Sequence, residues 1–345
     1  PDLGLYEFDD DQNNICLFGD TPCTHNLSPF LDTRPGVDAS ERFKALAGVY
    51  WTGLYMFASS DGRQWRQVQT EPVIPTQYRE GNGVYMFDSQ NVSFWSEAEG
   101  CYICYFRTLV TAHGDLRSVS RMTSHDFVHW ENRRDLQPND PDEHLYTSQT
   151  HPYFRAPHIY IATPTRFVAE RGCSTEILFM TTRAGTNSYE RPFKEAWIRP
   201  GPDPDRWGNR SNYAALNVVP TGPDEMSVYN ASSGYRYVLR TDGFISVNAP
   251  YEGGEMITKP LVFKGSELVM NYSTAATGSI RMEIQDEQGK PITGFGIGEG
   301  PEIVGDAIGQ AIPWASGCEV GRLAGQPVRL RFVMRDADLF SVQFR

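Results

Sequence analysis

Three acidic residues recur near the starts of successive stretches of this chain: Asp32 in Phe30-Leu-Asp-Thr-Arg-Pro35, Asp88 in Phe87-Asp-Ser-Gln-Asn91, and Glu143 in Pro141-Asp-Glu-His-Leu-Tyr146. Two carboxyl groups held in different environments can divide the work of breaking a glycosidic bond. One protonates the leaving oxygen, and the other attacks or activates water. Any one of the three also reads as a turn or capping carboxylate. Their repeated register is what points to a common pocket.

Groups suited to sugar hydroxyls surround them in sequence. Gln90 and Asn91 offer amides on alternate faces of a strand, so one of the two faces a pocket. His144 and Tyr146 flank Glu143, Arg107 ends a second strand, and Arg155 and Arg166 flank a third block. Arg210, Asn212 and Tyr213 stand where a fourth block repeats the first-strand position. Each arginine reads equally as half of a structural ion pair. No glycine-rich phosphate loop and no Ser-His-Asp signature is present. His125 and His129 are four apart, but in a strand-and-turn context rather than on a helix, so a zinc motif of the H-E-x-x-H kind is excluded. No cofactor is called for, although a structural calcium ion is compatible with the chain.

The elements that would position these residues announce themselves by repetition. A strand, a small polar turn and often an aromatic recur as Ser59-Ser-Asp-Gly-Arg-Gln-Trp65 and Thr123-Ser-His-Asp-Phe-Val-His-Trp130. Weaker copies follow at Thr181-Thr-Arg-Ala-Gly185 and Leu239-Arg-Thr-Asp-Gly-Phe244. The two tryptophans are 65 residues apart, and turn positions 126, 185 and 242 follow at intervals of 59 and 57. Short strands repeated at about 40–65 residues are the mark of radially repeated sheets, a β-propeller, whose first strands gather around one axis. Trp65 and Trp130 follow turns in outer strands and read as core between sheets.

Four blocks of short strands, rich in aromatic and β-branched residues and split by Gly, Pro, Asn and Asp, cover about residues 25–250. Each is expected to form a complete four-stranded blade. Leu3-Gly-Leu-Tyr-Glu-Phe8 reads as the last strand of a fifth blade whose partners would precede Pro1. After residue 250 the period stops, and alternating stretches such as Ile280-Arg-Met-Glu-Ile284 and Val328-Arg-Leu-Arg-Phe332 predict an antiparallel β-sandwich with one wet face. The expectation is all-β: a five-bladed propeller over 1–250, incomplete at its N-terminal blade, and a sandwich over 251–345.

Composition narrows the partners. The 345 residues are 40% hydrophobic and 12% aromatic, enough for a large core. A net charge of −12 argues against nucleic acid or an anionic membrane surface, and no apolar run approaches a membrane span. A carbohydrate partner and a homo-oligomer both remain compatible. Cys101-Tyr-Ile-Cys104 matches C-x-x-C, but strand positions i and i+3 point to opposite faces, so the six cysteines are expected as free thiols. The compartment stays open, with periplasmic or secreted favoured over cytoplasmic.

Ser124-His-Asp-Phe-Val-His-Trp-Glu131 resembles the strand–turn signature of the five-bladed propeller glycosidases of glycoside hydrolase families 32, 43 and 68. Phe87-Asp-Ser-Gln-Asn-Val-Ser-Phe-Trp95 and Cys101-Tyr-Ile-Cys-Tyr-Phe-Arg107 are similar to their acid-bearing first strand and its neighbour. Thr147 to Pro157, Leu239 to Ala249 and Val328 to Leu339 resemble bacterial family 32-like proteins that pair a propeller with a C-terminal sandwich. The likeness covers most of the chain. It implies a glycosidase with an Asp, Asp, Glu triad: Asp32 as nucleophile or base, Asp88 assisting or orienting, Glu143 as general acid. The Asn-Asp-Pro-Asn-Gly, Arg-Asp-Pro and Glu-Cys motifs of family 32 are absent in their usual form, so the correspondence is positional and fructan specificity is not implied. Two alternatives stand beside it. One is a carbohydrate-binding propeller without catalysis. The other is a sialidase-like glycosidase, because Ser60-Asp-Gly-Arg-Gln-Trp65 loosely matches an Asp box that is one residue short.

Overall fold

The computed structural model describes residues 3–7, 13–17, 25–76, 86–109, 114–314 and 317–345. These residues form an all-β protein whose helical content is confined to short 3-10 turns. None of its helices is long and apolar enough to cross a membrane. Two compact units divide the chain, one made of residues 1–218 and 228–237, the other of 219–227 and 238–345.

In the first unit, β1 (Ser28–Leu31), β2 (Phe43–Val49), β3 (Gly53–Ser59) and β4 (Arg66–Gln67) form an antiparallel meander. A second meander follows in β5 (Val92–Ser96), β6 (Cys101–Thr108), β7 (Ser118–Ser124) and β8 (Trp130–Asp135). Every residue of β6 is buried, because both of its faces are covered. Tyr102, Cys104 and Phe106 pack with Leu46, Leu54 and Met56 of the first sheet. Cys101, Ile103 and Tyr105, on the opposite face, pack with Tyr160. The sheets therefore stack face to face, and the two cysteines of the C-x-x-C motif lie in different clusters. Cys16, Cys101, Cys104, Cys173 and Cys318 are free thiols, while Cys23 lies outside the described residues. Burial pushes the Cys104 thiol up to about 12, which makes it inert.

The two clear sequence motifs have the same local geometry. Asp61 Oδ1 accepts from the N–H groups of Arg63 and Gln64, as Asp126 Oδ1 does from Val128 and His129. Trp65 Nε1 donates to the Gly62 carbonyl and Trp130 Nε1 to the Phe127 carbonyl, at 3.2 and 3.1 Å. Both turns need a left-handed residue, Gly62 at φ 74° and Phe127 at φ 69°. For Phe127 that conformation costs about 1–2 kcal/mol. Complete burial of its ring against Phe30, Tyr102 and Trp130 offsets the cost.

The third region departs from the expected single blade. β9 (His144–Leu145), β12 (Thr165–Val168) and β13 (Ser174–Ile177) form one sheet. β10 (His151–Tyr153), β11 (Ala156–Ala162) and β14 (Met180–Arg183) form another. The strand-like run over 145–154 is broken at Gln149, whose φ is 50°. β15 (Val219–Pro220), β16 (Glu225–Tyr229) and β17 (Arg236–Arg240) make a three-stranded sheet. The next strand, β18 (Val247–Ala249), does not join it and pairs with the C-terminal strand. Two four-stranded sheets are thus present among the described residues where four were expected. Leu3–Glu7 forms no strand either: the Leu3 and Gly4 N–H groups reach the Asn13 carbonyl and the Asn13 amide donates to the Tyr6 carbonyl, while Phe8 lies outside the described residues.

The second unit holds one five-stranded antiparallel sheet. Its strands are β18, β19 (Gly254–Ile257), β20 (Leu268–Gln285), β21 (Asp306–Ala311) and β22 (Arg329–Phe344). β20 and β22 run for 18 and 16 residues. The ladder continues through both, with register shifts at Asn271/Tyr272 and Thr274/Ser279 that absorb the polar middle segment. Alternate residues Ile280, Met282 and Ile284 face Leu330, Phe332 and Met334 and bury a separate core with Phe295 and Trp314.

Candidate functional site

Asp88 sits in the tight approach to β5. Phe87 adopts a left-handed φ of 64°, and the Asn91 amide donates to the carbonyls of Phe87 and Ser89 at 3.1 and 3.0 Å. Asn91 is completely buried and fixes this loop from inside. Asp88 projects outward with its side chain 39% exposed, while its partner Arg107, at 2.7 Å from the end of β6, is 2% exposed. A buried guanidinium thus holds an open carboxylate.

Around this pair stands a wall of rings and cations from distant segments. The Arg107 guanidinium carbon is 4.9 Å from the Tyr146 ring centroid. Arg117, just before β7, lies 5.1 Å from the same ring and 5.0 Å from the ring of Phe167 on β12. Tyr213 meets Tyr146 edge-on at 5.7 Å. His144 Nδ1 accepts from the Arg117 N–H at 3.1 Å, which leaves Nε2 to carry the ring proton. Burial, and then the nearby Arg117 charge, hold His144 below its ordinary value. Burial and then Tyr146 hold the Tyr213 hydroxyl well above its own, against the opposing pull of Arg210, Arg107 and Arg117.

The residues expected from sequence therefore divide. Asp88, Arg107, His144, Tyr146, Arg210 and Tyr213 come together. Arg117 and Phe167 belong with them and were not singled out from sequence. The signal for Arg117 was the antiparallel register, which sets Thr108 opposite Ser118 and so brings Arg107 and Arg117 to one end of the sheet.

Asp32 and Glu143 have their own partners, none shared with Asp88. Asp32 is buried at the end of β1, where Oδ2 accepts from Lys44 Nζ and from the Tyr102 hydroxyl, both at 2.6 Å, and Oδ1 from the Arg34 N–H at 2.9 Å. Burial, then the hydrogen bond to Asp32, push the Tyr102 hydroxyl well up, so it stays a donor. Both Glu143 oxygens are engaged. Oε1 accepts from Arg166 and Arg191 at 3.1 Å each, and Oε2 from Arg191 at 2.7 Å and the Asp140 N–H at 3.1 Å. The Arg191 contact is the two-pronged kind that fixes a carboxylate in place.

The remaining candidates lie on other contacts. Arg166 also binds Glu176, and Arg155 sits in the turn between β10 and β11. Asn212 is buried, accepts from Arg206 at 3.0 and 2.7 Å, and donates to the carbonyls of Thr175 and Arg206. Gln90 donates to Ser28 Oγ at 3.3 Å and accepts from Gln149 at 2.7 Å, and Gln149 donates on to the Ala214 carbonyl at 3.0 Å. A chain of amides thus ties together the entries of four successive strand blocks. An open groove of about 480 Å³ in the second unit, lined by Gly253, Gly254, Ser279 and Arg281, holds none of these residues.

Chemically, the Asp88 cluster offers one carboxylate able to accept from hydroxyls or activate water, aromatic faces for the apolar side of a sugar ring, and an excess of guanidinium.

No family model matches the sequence, and no curated protein matches it. Among solved structures the chain is similar to a glycoside hydrolase family 43 arabinoxylan arabinofuranohydrolase from Bacillus subtilis, at 14% identity over 92% of this chain and 78% of that one, with a TM-score of 0.40. It is similar to an endo-arabinase from Bacteroides thetaiotaomicron at 11% identity over 68% and 84%, TM-score 0.41. A fructofuranosidase from Schwanniomyces occidentalis aligns at 9% identity over 92% and 82%, TM-score 0.37. At such identities the functional reading has to come from this chain's own residues.

Proposed function

We propose that the protein is a glycoside hydrolase acting on an oligo- or polysaccharide, with its sugar seated against Asp88, Tyr146 and Tyr213. The observation that carries this reading is the open Asp88 carboxylate, held by the buried Arg107 beside a tyrosine wall. In this reading the first unit is a five-bladed propeller, the second a sandwich, and the chain a family 32-like protein that works in the periplasm or outside the cell. Asp88 is the member of the Asp32, Asp88, Glu143 set that meets substrate directly. Asp32 and Glu143 act from the flanking strands.

A second reading, a carbohydrate-binding propeller without turnover, is favoured by one specific observation: the oxygens of Asp32 and Glu143 are already occupied by protein donors. Screening chromogenic glycosides and plant, algal and bacterial polysaccharides with the wild type and Asp88→Asn separates the two. Turnover by the wild type that Asp88→Asn loses supports the hydrolase. Saturable sugar binding with no turnover of any substrate supports the binding module.

A further inference from the structure

We infer that Arg117, with Arg107 and Arg210, forms a subsite for an oxyanion, so that the ligand beside Asp88 brings a carboxylate or a phosphate group. The inference rests on the reading of the Asp88 cluster as a carbohydrate site and adds the charge of what it takes.

Charge bookkeeping comes first. The chain as a whole carries a net charge of −12, yet here Arg107 and Arg117 both act beside Asp88, Arg210 acts on Tyr213, and Glu170 acts on His144. Asp88 is engaged by Arg107. No carboxylate among the described residues pairs with Arg117, and its buried Nε has no acceptor. Arg166 and Arg191 meet Glu143, Arg121 meets Glu99, and Arg331 meets Glu255 and Glu283 in direct ion pairs, whereas Arg117 makes none among the described residues.

Burial, and then the neighbouring Arg107 charge, act against the Arg117 cation, while Tyr146 and Asp88 act for it. The Tyr146 and Phe167 rings, 5.1 and 5.0 Å from its guanidinium carbon, stabilise it through their π faces. They also hold the planar fork in one orientation, and the His144 ring anchors its backbone N–H. A guanidinium seated against two rings, partly desolvated and in no direct ion pair is suited to two-pronged recognition of a carboxylate or phosphate. Arg210, exposed and close enough to act on the Tyr213 hydroxyl, adds a third positive charge at the rim.

The oxyanion has two sources of the same chemistry: the carboxylate of an acidic sugar, or free inorganic phosphate bound beside a neutral one. Calorimetric titration of the full chain at low salt with glucuronate, galacturonate, inorganic phosphate and methyl glucoside distinguishes them. Binding of a uronate in preference to methyl glucoside assigns the anion to the sugar, and preferential binding of phosphate assigns it to a free ion. In both cases Arg117→Met, which removes the charge and keeps an unbranched stem, should weaken the anion about tenfold or more and methyl glucoside by a smaller factor. Arg210→Met, at an exposed position that leaves folding intact, should weaken it in the same direction. Anion affinity equal to wild type in folded Arg117→Met, or neutral sugar binding with no anion binding at all, overturns the subsite. Arginine-dependent uronate binding without turnover of any glycoside leaves the subsite standing and removes the hydrolase.

Discussion

Gln149 donates from Nε2 to Gln90 Oε1 at 2.7 Å across 59 residues of chain. The same nitrogen reaches the Ala214 carbonyl, and Gln90 reaches Ser28. The first strands of successive blocks are thereby joined where they meet, β5 lying beside both β1 and β10. Gln149→Ala should cost about 1–3 kcal/mol, because it leaves buried partners unpaired. In urea melts, Gln90→Ala with Gln149→Ala should cost less than the two single changes added together.

The Lys44–Asp32 pair is almost wholly buried, with side chains 2% and 0% exposed. Lys44→Met leaves a carboxylate inside the protein with one of its donors gone, and should cost about 3–5 kcal/mol. Adding Asp32→Asn should restore part of that loss by removing the stranded charge. A double variant no more stable than Lys44→Met would show that packing of the lysine stem, not charge, sets the cost.

Acid should destabilise the fold through His151. The ring is buried, with Nδ1–H donating to the Gln149 carbonyl at 2.8 Å and Nε2 accepting from the Val218 N–H at 3.1 Å. Burial holds it down to about 4, against an ordinary value of 6.5. Between those values the unfolded chain binds the proton and the folded chain does not, so stability falls as pH falls from 6.5 to 4. The loss is on the order of 3 kcal/mol. His151→Gln should be less stable at neutral pH and flatter across this window in thermal melts.

Asp88 and Glu143 should separate under substitution. Asp88→Asn takes the counter-charge from the buried Arg107 and should cost about 1–3 kcal/mol while abolishing turnover or ligand binding. Glu143→Gln strips the counter-charge from two arginines at a buried position and should cost about 3–5 kcal/mol in denaturant melts.

Much of the strand framework was legible because its signals are local. Ser59, Asp61 and Trp65 close their turn with bonds spanning three residues or fewer, as Ser124, Asp126 and Trp130 do, so the motif carries its geometry with it. Alternation along β6 likewise placed Cys101 and Cys104 on opposite faces. The splitting of the third block was not legible. A left-handed residue at Gln149 breaks an otherwise strand-like run, and it is held there by amide bonds to Gln90 and Ala214, far away in sequence.

The sequence by itself determined the repeating strand–turn framework, the opposed faces of its strands, and a short roster of polar residues near block starts. Only the tertiary structure decided which of those carboxylates is open. Asp32 met Lys44 and Tyr102, Glu143 met Arg166 and Arg191, and Asp88 met Arg107 while staying open to solvent. It also decided that Arg117 would stand against Tyr146 and Phe167, in no direct ion pair among the described residues. The physical reason is range. Turn and strand preferences act over a few residues, whereas the protonation, exposure and partners of a charged group depend on every element packed around it.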